Sequence, residues 1–344
     1  MAKKKRVTSQ QVAERAGVSR TTVSLILNRV PGPNFTEETR QRVFKAAEEL
    51  GYVPHEAARS LASGKTRNIG LIICQPRDQF LSDAFIPNVI YGINELATEH
   101  GFNMLIDWVE DVAQPGTYEK LTLARKIDGI ILALPRSDDE EITKLIDDGF
   151  PVVLLGNTLD TPGYAVGSDD YEAACKATEH LINLGHKRIG CITNGAPAYL
   201  VASERLRGYC EVLEAKGIIV DEQLISYGAF TPESGYQAMQ SLLTLNDRPT
   251  AVFVASDAVA FGAMTAIHEH GLRIPQDVAV VGIDDIAMAR YATPPLTTIR
   301  LSAPEQGRQA MAMLVALMEG NKPPESKRLI KTELIIRQSC GAKS

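Results

Sequence analysis

Seven short runs of continuous apolar residues recur after position 67: IGLIIC (69–74), NMLIDW (103–108), GIILAL (129–134), PVVLLG (151–156), RIGCIT (188–193), AVFVAS (251–256) and VAVVGI (278–283). A strand with one wet face alternates apolar and polar residues. Unbroken runs suit parallel strands covered by helices on both faces. Segments with helical spacing separate the runs, which predicts a doubly wound α/β body. The chain has 344 residues, enough for two or three domains with sizeable cores.

Nothing before position 68 follows this pattern, and its charge also differs. Residues 1–67 hold 13 Lys+Arg against 6 Asp+Glu, a balance of +7, whereas the remainder holds 23 against 36, a balance of −13. A basic head on an acidic body implies that only the head meets a polyanion. The start, MAKKKRVTSQQ, has no apolar stretch behind it and does not resemble a secretory signal. No run of about 18 apolar residues offers a membrane span. The five cysteines are scattered and form no C-x-x-C pair, as expected of reduced thiols in a cytoplasmic protein.

Within the head, Thr8 followed by Gln11 fits a capping box, Gly17 suits a tight turn, and Ser19 can cap a second helix. In that helix Val23, Ile26 and Leu27 face a core. Arg20, Ser24 and Asn28 recur every four residues, with Thr21 and Leu25 beside them. A third helix is predicted from Thr36 to near Leu50, stopped by Gly51. Helix, glycine turn, helix and third helix in a small basic segment match a helix-turn-helix, whose second helix enters the major groove. Arg20 would bond a guanine edge, Thr21 and Ser24 bases or phosphates, and Leu25 a thymine methyl. On pattern alone, a small helical bundle with a solvated polar face is the alternative.

Several catalytic motifs fail. Gly64-Lys65-Thr66 resembles the end of a P-loop, but Arg59 stands where the first glycine belongs, and a strand follows rather than precedes it. No G-x-G occurs, so a dinucleotide fingerprint is absent. There is no G-x-S-x-G or H-E-x-x-H, and His268 and His270, at i and i+2 of a helix, do not share a face. The expectation is no cofactor, no metal and no catalytic residue. Polar residues do gather at predicted strand ends, where α/β sheets bind ligands: Asn157, Ser256, Asp257, Asp284 and Asp285. Taken singly, each is also an ordinary cap or turn residue.

The stretches TSQQVAERAGVSRTTVSLILN, EELGYVPHEAARSLASGKT, HLINLGHKRIGCI, ERLRGY, SDAVAFGAMTAIHEHGLRIPQDVAVVGIDD and PPLTTI occur in this order along the chain. Together they resemble the LacI/GalR family of bacterial repressors. The resemblance implies a body like a periplasmic sugar-binding protein: two discontinuous α/β subdomains around a cleft, with three crossings between them. It puts Arg20, Thr21 and Leu25 at base-reading positions, and Thr8, Ser19, Thr22, Asn28, Thr36 and Thr39 at positions that mostly touch phosphates. Tyr52 joins the expected DNA-binding set. Residues 55–63 read alone as a plain linker. By the resemblance they form a hinge helix whose Leu61 wedges into the minor groove, with His55 and Ala58 as contacting neighbours. In the cleft, Arg205, Asp284, Phe230 and Phe85 match effector positions, joined by Asn157 and Ser256. Three departures stand out: Leu25 where many members carry arginine, Ser256 in place of a commoner asparagine, and Leu301 where some have a polar contact.

The expected organisation is a helix-turn-helix domain at 1–53, a hinge at 54–67 and an effector-binding, dimerising body at 68–344. The expected function is a cytoplasmic, ligand-responsive repressor that binds double-stranded, near-palindromic operator DNA. Two half-sites imply a homodimer, and no leucine heptad follows LIIRQSC to suggest a tetramer. A sugar or sugar phosphate is the expected effector, and a purine the alternative within the family. A cytoplasmic sugar-modifying enzyme and an exported transport protein are the competing classes; the basic head separates the first reading from both.

Overall fold

The computed structural model describes residues 7–27, 34–52, 64–112, 126–156 and 163–342, with positions 116, 118 and 122. Asn28, His55, Ala58, Leu61 and Asn157 lie outside the described residues. The chain forms two compact units, Met1–Arg67 and Asn68–Ser344.

The first unit contains α1 (Ser9–Ala16), α2 (Arg20–Leu27) and α3 (Glu37–Leu50). Thr8 caps α1 in a reciprocal capping box: the Gln11 N–H donates to Thr8 Oγ1, and the Thr8 N–H donates to Gln11 Oε1 at 2.9 Å. Gly17 ends α1 at φ +67°, a conformation that only glycine adopts readily. Ser19 accepts from the Thr22 N–H at 3.0 Å and caps α2. Thr36 caps α3, and Gly51 stops it. Val12, Val23, Ile26 and Val43 are buried between the three helices.

In the second unit, one six-stranded sheet has the order β11-β5-β4-β3-β1-β2 and the other β12-β10-β9-β8-β6-β7. The first comprises β1 (Asn68–Ile73), β2 (Asn103–Trp108), β3 (Gly129–Ala133), β4 (Val152–Leu155), β5 (Tyr164–Ser168) and β11 (Lys327–Ile330). The second comprises β6 (Ile189–Thr193), β7 (Ile225–Tyr227), β8 (Ala251–Val254), β9 (Ala279–Asp284), β10 (Thr297–Arg300) and β12 (Glu333–Ile335). All named pairings are parallel except β10–β12. Each sheet places its first strand inside the order, so the winding reverses beside β1 and β6.

The helices are α4 (Arg77–Phe80), α5 (Phe85–Glu99), α6 (Glu140–Asp147), α7 (Asp170–Asn183), α8 (Leu200–Ala215), α9 (Pro232–Leu243), α10 (Asp257–Glu269) and α11 (Ala303–Met318). In α5, Ile86, Val89, Ile93 and Ala97 face inward at helical spacing and pack with Met311 and Leu314 of α11. Each large aliphatic side chain buried this way contributes about 1.5–3 kcal/mol. The two helix axes come close because a Cβ on Gly92 would lie 1.9 Å from the Pro304 carbonyl, and one on Gly307 would lie 2.2 Å from that of Val89. α9 and α10 repeat the device on the second sheet through Gly235 and Gly262.

The chain crosses between sheets after β5, after β10 and after β11, so both subdomains are discontinuous. Side chains pin the crossings. Ser168 Oγ donates to the Leu301 carbonyl at 3.2 Å, and Lys176 Nζ donates to Thr332 Oγ1 at 2.9 Å. The expected doubly wound body is present. One detail differs: β2, read as covered on both faces, is an edge strand with Leu105 and Ile106 exposed.

Candidate functional site

A cleft of about 780 Å³, part of it open to solvent, lies between the carboxyl ends of the two sheets. Its walls come from the segments that follow β1, β3, β4 and β5 on one side and β6, β7, β8, β9 and β10 on the other. Parallel sheets with this winding leave a crevice at that place.

Arg205 projects from α8 and is buried. Its Nε donates to Asp170 Oδ1 at 2.9 Å, its Nη2 forms an ion pair with the same oxygen at 2.8 Å, and its Nη1 donates to the Ala255 carbonyl at 2.5 Å. Asp170 and the Ala255 carbonyl thereby fix the guanidinium. Asp284 Oδ1 lies 4.0 Å from Nη1. The guanidinium is therefore preorganised in the cleft wall.

Asp284 ends β9 at φ +127°, and its Oδ2 accepts from the Asp257 N–H at 3.3 Å. Burial, reinforced by the nearby charge of Asp83, raises its pKa to about 7 against the pull of Arg205. Asp257, fully buried beneath it, is also pushed well up, by burial first and the charge of Asp284 second. Asp257 itself is held by Thr298 Oγ1 at 2.6 Å and the Ile286 N–H at 3.0 Å. Asp285, the second half of the GIDD pair, turns away: Arg300 donates to it at 2.7 Å, and Arg337 also bonds it. The adjacent acids thus serve separate tasks.

The apolar wall includes Phe85, Ile86, Val89, Leu134, Phe230 and Leu301. Phe230 meets Tyr199 edge to face, with ring centroids 5.0 Å apart. Leu134, Phe230 and Asp284 all have positive φ. Residues in this uncommon region tend to gather at functional sites.

The structure brings Phe85, Arg205, Phe230, Ser256 and Asp284 to one cleft. Leu301 also lines it, as an apolar surface. Sequence reasoning missed Asp83, Asp170, Asn194 and Gln306, which line it too. An internal repeat pointed to one of them: VGSDD (166–170) and VGIDD (281–285) each end a strand at the cleft.

The head gathers its own polar surface. Thr8, Ser19 and Thr36 sit at helix N-termini, and Ser19 and Thr36 share hydroxyl bonds with Thr22 and Thr39, each at 2.9 Å. Arg20 and Thr21 are exposed at the start of α2, while Ser24 and Leu25 are half-buried one turn on. Arg20 Nε donates to Ser9 Oγ at 3.1 Å, which holds the guanidinium beside α1. Tyr52 packs half-buried against the head core.

Residues 8–55 match the family described as bacterial regulatory proteins, lacI family, and residues 178–340 match a periplasmic binding protein-like domain. The HTH-type transcriptional repressor CytR of Escherichia coli (strain K12) is 38% identical over 341 residues, covering 97% of this chain and 96% of the relative. The solved transcriptional regulator CelR–cellobiose complex is 33% identical with a TM-score of 0.73, covering 97% of this chain and 100% of that one. The lac repressor dimer bound to operator and the anti-inducer ONPF is 30% identical with a TM-score of 0.85, covering 98% and 100%. With such identity along nearly its whole length, the chain belongs to the lacI family of bacterial regulatory proteins.

Proposed function

We propose that this ligand-responsive, DNA-binding repressor takes a sugar or sugar phosphate in its cleft and binds a near-palindromic operator as a homodimer. It is a regulator and not an enzyme. The observation that carries the effector reading is the convergence of Arg205 and Asp284, whose side chains are 6% and 8% exposed, with the Phe230 ring in one cleft. Arginine supplies paired donors, the carboxylate accepts from hydroxyls, and the aromatic ring covers an apolar face. The cellobiose in the CelR complex, a relative 33% identical to this chain, supports a sugar, and a purine is the alternative. Asn157 and Ser256 complete the proposed contact set.

On DNA, α2 reads bases with Arg20, Thr21, Ser24 and Leu25. Thr8, Ser19, Thr22, Asn28, Thr36, Thr39 and Tyr52 hold the backbone. Residues 54–67 form the hinge, with His55, Ala58 and Leu61 at the minor groove, between a head at 1–53 and a body at 68–344. Exposed Leu105 and Ile106 on edge strand β2 suit a partner subunit, and the operator-bound lac repressor is itself a dimer. A cytoplasmic location fits a DNA-binding protein. Among the described residues no helix is long and apolar enough to cross a membrane.

A thermal-shift screen of sugars, sugar phosphates and nucleobases tests the effector reading. A ligand at 100 times its dissociation constant adds about 2.7 kcal/mol of stability. A ligand that stabilises the protein but leaves its operator affinity unchanged would refute the regulatory role of the cleft.

A further inference from the structure

We infer that the cleft is built for an uncharged, hydroxyl-bearing ligand and excludes the phosphorylated or carboxylated form of the same molecule. This rests on the cleft being the effector site and narrows its ligand class.

The first argument is charge. Asp83, Asp170 and Asp284 line the cleft, and Asp257 lies directly behind Asp284. Among the described residues Arg205 is the only Lys or Arg that lines it. Arg205 is moreover engaged by Asp170 and by the Ala255 carbonyl. An arriving anion would enter a partly buried space whose one guanidinium is already paired, and where little water screens its charge from the carboxyls.

The second argument is that the protein's own carboxylates occupy the places a phosphate would take. Phosphates bind at helix N-termini, on first-turn amides. At α5, Asp83 Oδ1 accepts from the Phe85 and Ile86 amides at 2.7 and 3.2 Å. At α10, Asp284 accepts from the Asp257 amide. At α7, Asp169 Oδ1 accepts from the Glu172 amide at 2.9 Å. At α8, the Leu200 amide donates across the cleft to the Pro135 carbonyl at 3.2 Å.

The third argument concerns what remains. Gln306 Nε2 donates to the Leu301 carbonyl at 2.6 Å and to Ser168 Oγ at 3.0 Å. Both its N–H groups are used, so Gln306 can offer a ligand only its carbonyl oxygen. Asn194 is buried, and its Oδ1 has no hydrogen-bond partner. A buried acceptor in that condition costs free energy that a ligand donor would recover. Asp284, Gln306 and Asn194 thus bring acceptor oxygens to the residues that line the same cleft as Phe230 and Leu301. Hydroxyl and amide donors match those acceptors. Phosphate and carboxylate oxygens do not.

The experiment uses the full-length protein and matched pairs: glucose with glucose 6-phosphate and with glucuronate, ribose with ribose 5-phosphate, cellobiose with cellobionate, and adenosine with adenosine 5′-phosphate. Thermal shift ranks the compounds, and calorimetry gives affinities for those that bind. The expected result is stabilisation by an uncharged member, with its anionic partner bound about 100-fold more weakly or not at all, since juxtaposed like charges reject a partner. An anionic member that binds as tightly as its neutral partner overturns the inference and leaves the effector reading standing. If no member of any pair binds, both fall. Asp83→Asn keeps a good helix cap while removing one charge. It should narrow the neutral-over-anion preference about tenfold; an unchanged preference would mean that shape, not charge, excludes the anion, and would overturn the electrostatic basis.

Discussion

Arg205 and Asp170 meet at a single oxygen. Nε and Nη2 of the arginine both lie within 2.9 Å of Asp170 Oδ1, and both side chains are buried. The pair joins α8 to the first turn of α7, so it fixes the cleft's cation and also holds two helices of the second subdomain together. Asp170→Ala would leave a buried guanidinium without its counter-ion. Breaking one side of a buried pair costs about 3–5 kcal/mol. Urea unfolding should show a lower midpoint at unchanged slope. A loss below about 1 kcal/mol would mean that water in the cleft replaces the carboxylate.

The α9–α10 contact should be equally intolerant of a single methyl group. A Cβ on Gly262 would stand 1.7 Å from the Pro232 carbonyl, and one on Gly235 would stand 1.9 Å from that of Val259. Both neighbours are backbone, which cannot rotate aside. Gly262→Ala must therefore separate the helices, although alanine is the better helix former. Overpacking of this kind costs about 1–3 kcal/mol or more. A thermal midpoint equal to that of the parent protein would show that the helices part freely.

Six of the seven strands that the sequence revealed are buried on both faces, and the seventh, β2, is an exposed edge. β1, β3, β4, β6, β8 and β9 carry unbroken apolar runs because helices cover them. β5, β7, β10, β11 and β12 escaped notice because they are short or polar. In β10, Thr297 and Thr298 are fully buried, yet their hydroxyls bond Cys340 Sγ and Asp257. Hydropathy cannot anticipate a polar strand whose partners lie some forty residues away. The cleft divides the same way. Arg205, Phe230 and Asp284 were legible through family resemblance. Asp83 looks like a helix cap, and is one; only the fold places that cap in the cleft wall. Gln306 and Asn194 carry no local signal at all.

DNA binding should reside in the head and respond steeply to salt. Six to ten phosphate contacts would lower affinity roughly 10³- to 10⁵-fold between about 50 and 200 mM salt. Arg20 and Thr21 are exposed at the start of α2, where a recognition helix meets base edges. Arg20→Ala should lose about 1–3 kcal/mol, concentrated at one base pair. Replacing Lys4 should weaken all sequences alike. The check is a titration against an operator and its single-base variants at several salt concentrations. An Arg20→Ala protein that loses specific and random binding in equal ratio does not read a base there.

Asp284 links the cleft to pH. Burial first, and the Asp83 charge after it, raise its folded pKa to about 7, whereas an unfolded aspartate titrates near ~3.9. The folded state therefore holds the proton more tightly than the unfolded state. The stability this provides is fully present below about pH 4 and is lost as pH rises to about 7. Asp284→Asn removes that contribution, so its unfolding midpoint should vary less between pH 5 and 8 than that of the parent. Some slope should survive, because burial raises Asp257 as well. Effector binding should show the opposite sign. Ligand hydroxyls donate to the ionised carboxylate, so affinity should rise as pH passes through about 7, and Asp284→Asn should abolish both the rise and much of the affinity. Parallel urea midpoints and effector titrations at pH 5, 6, 7 and 8 decide the matter. If the two proteins show the same dependence of stability on pH, then Arg205 keeps Asp284 ionised throughout, and the carboxylate is no proton-linked part of the site.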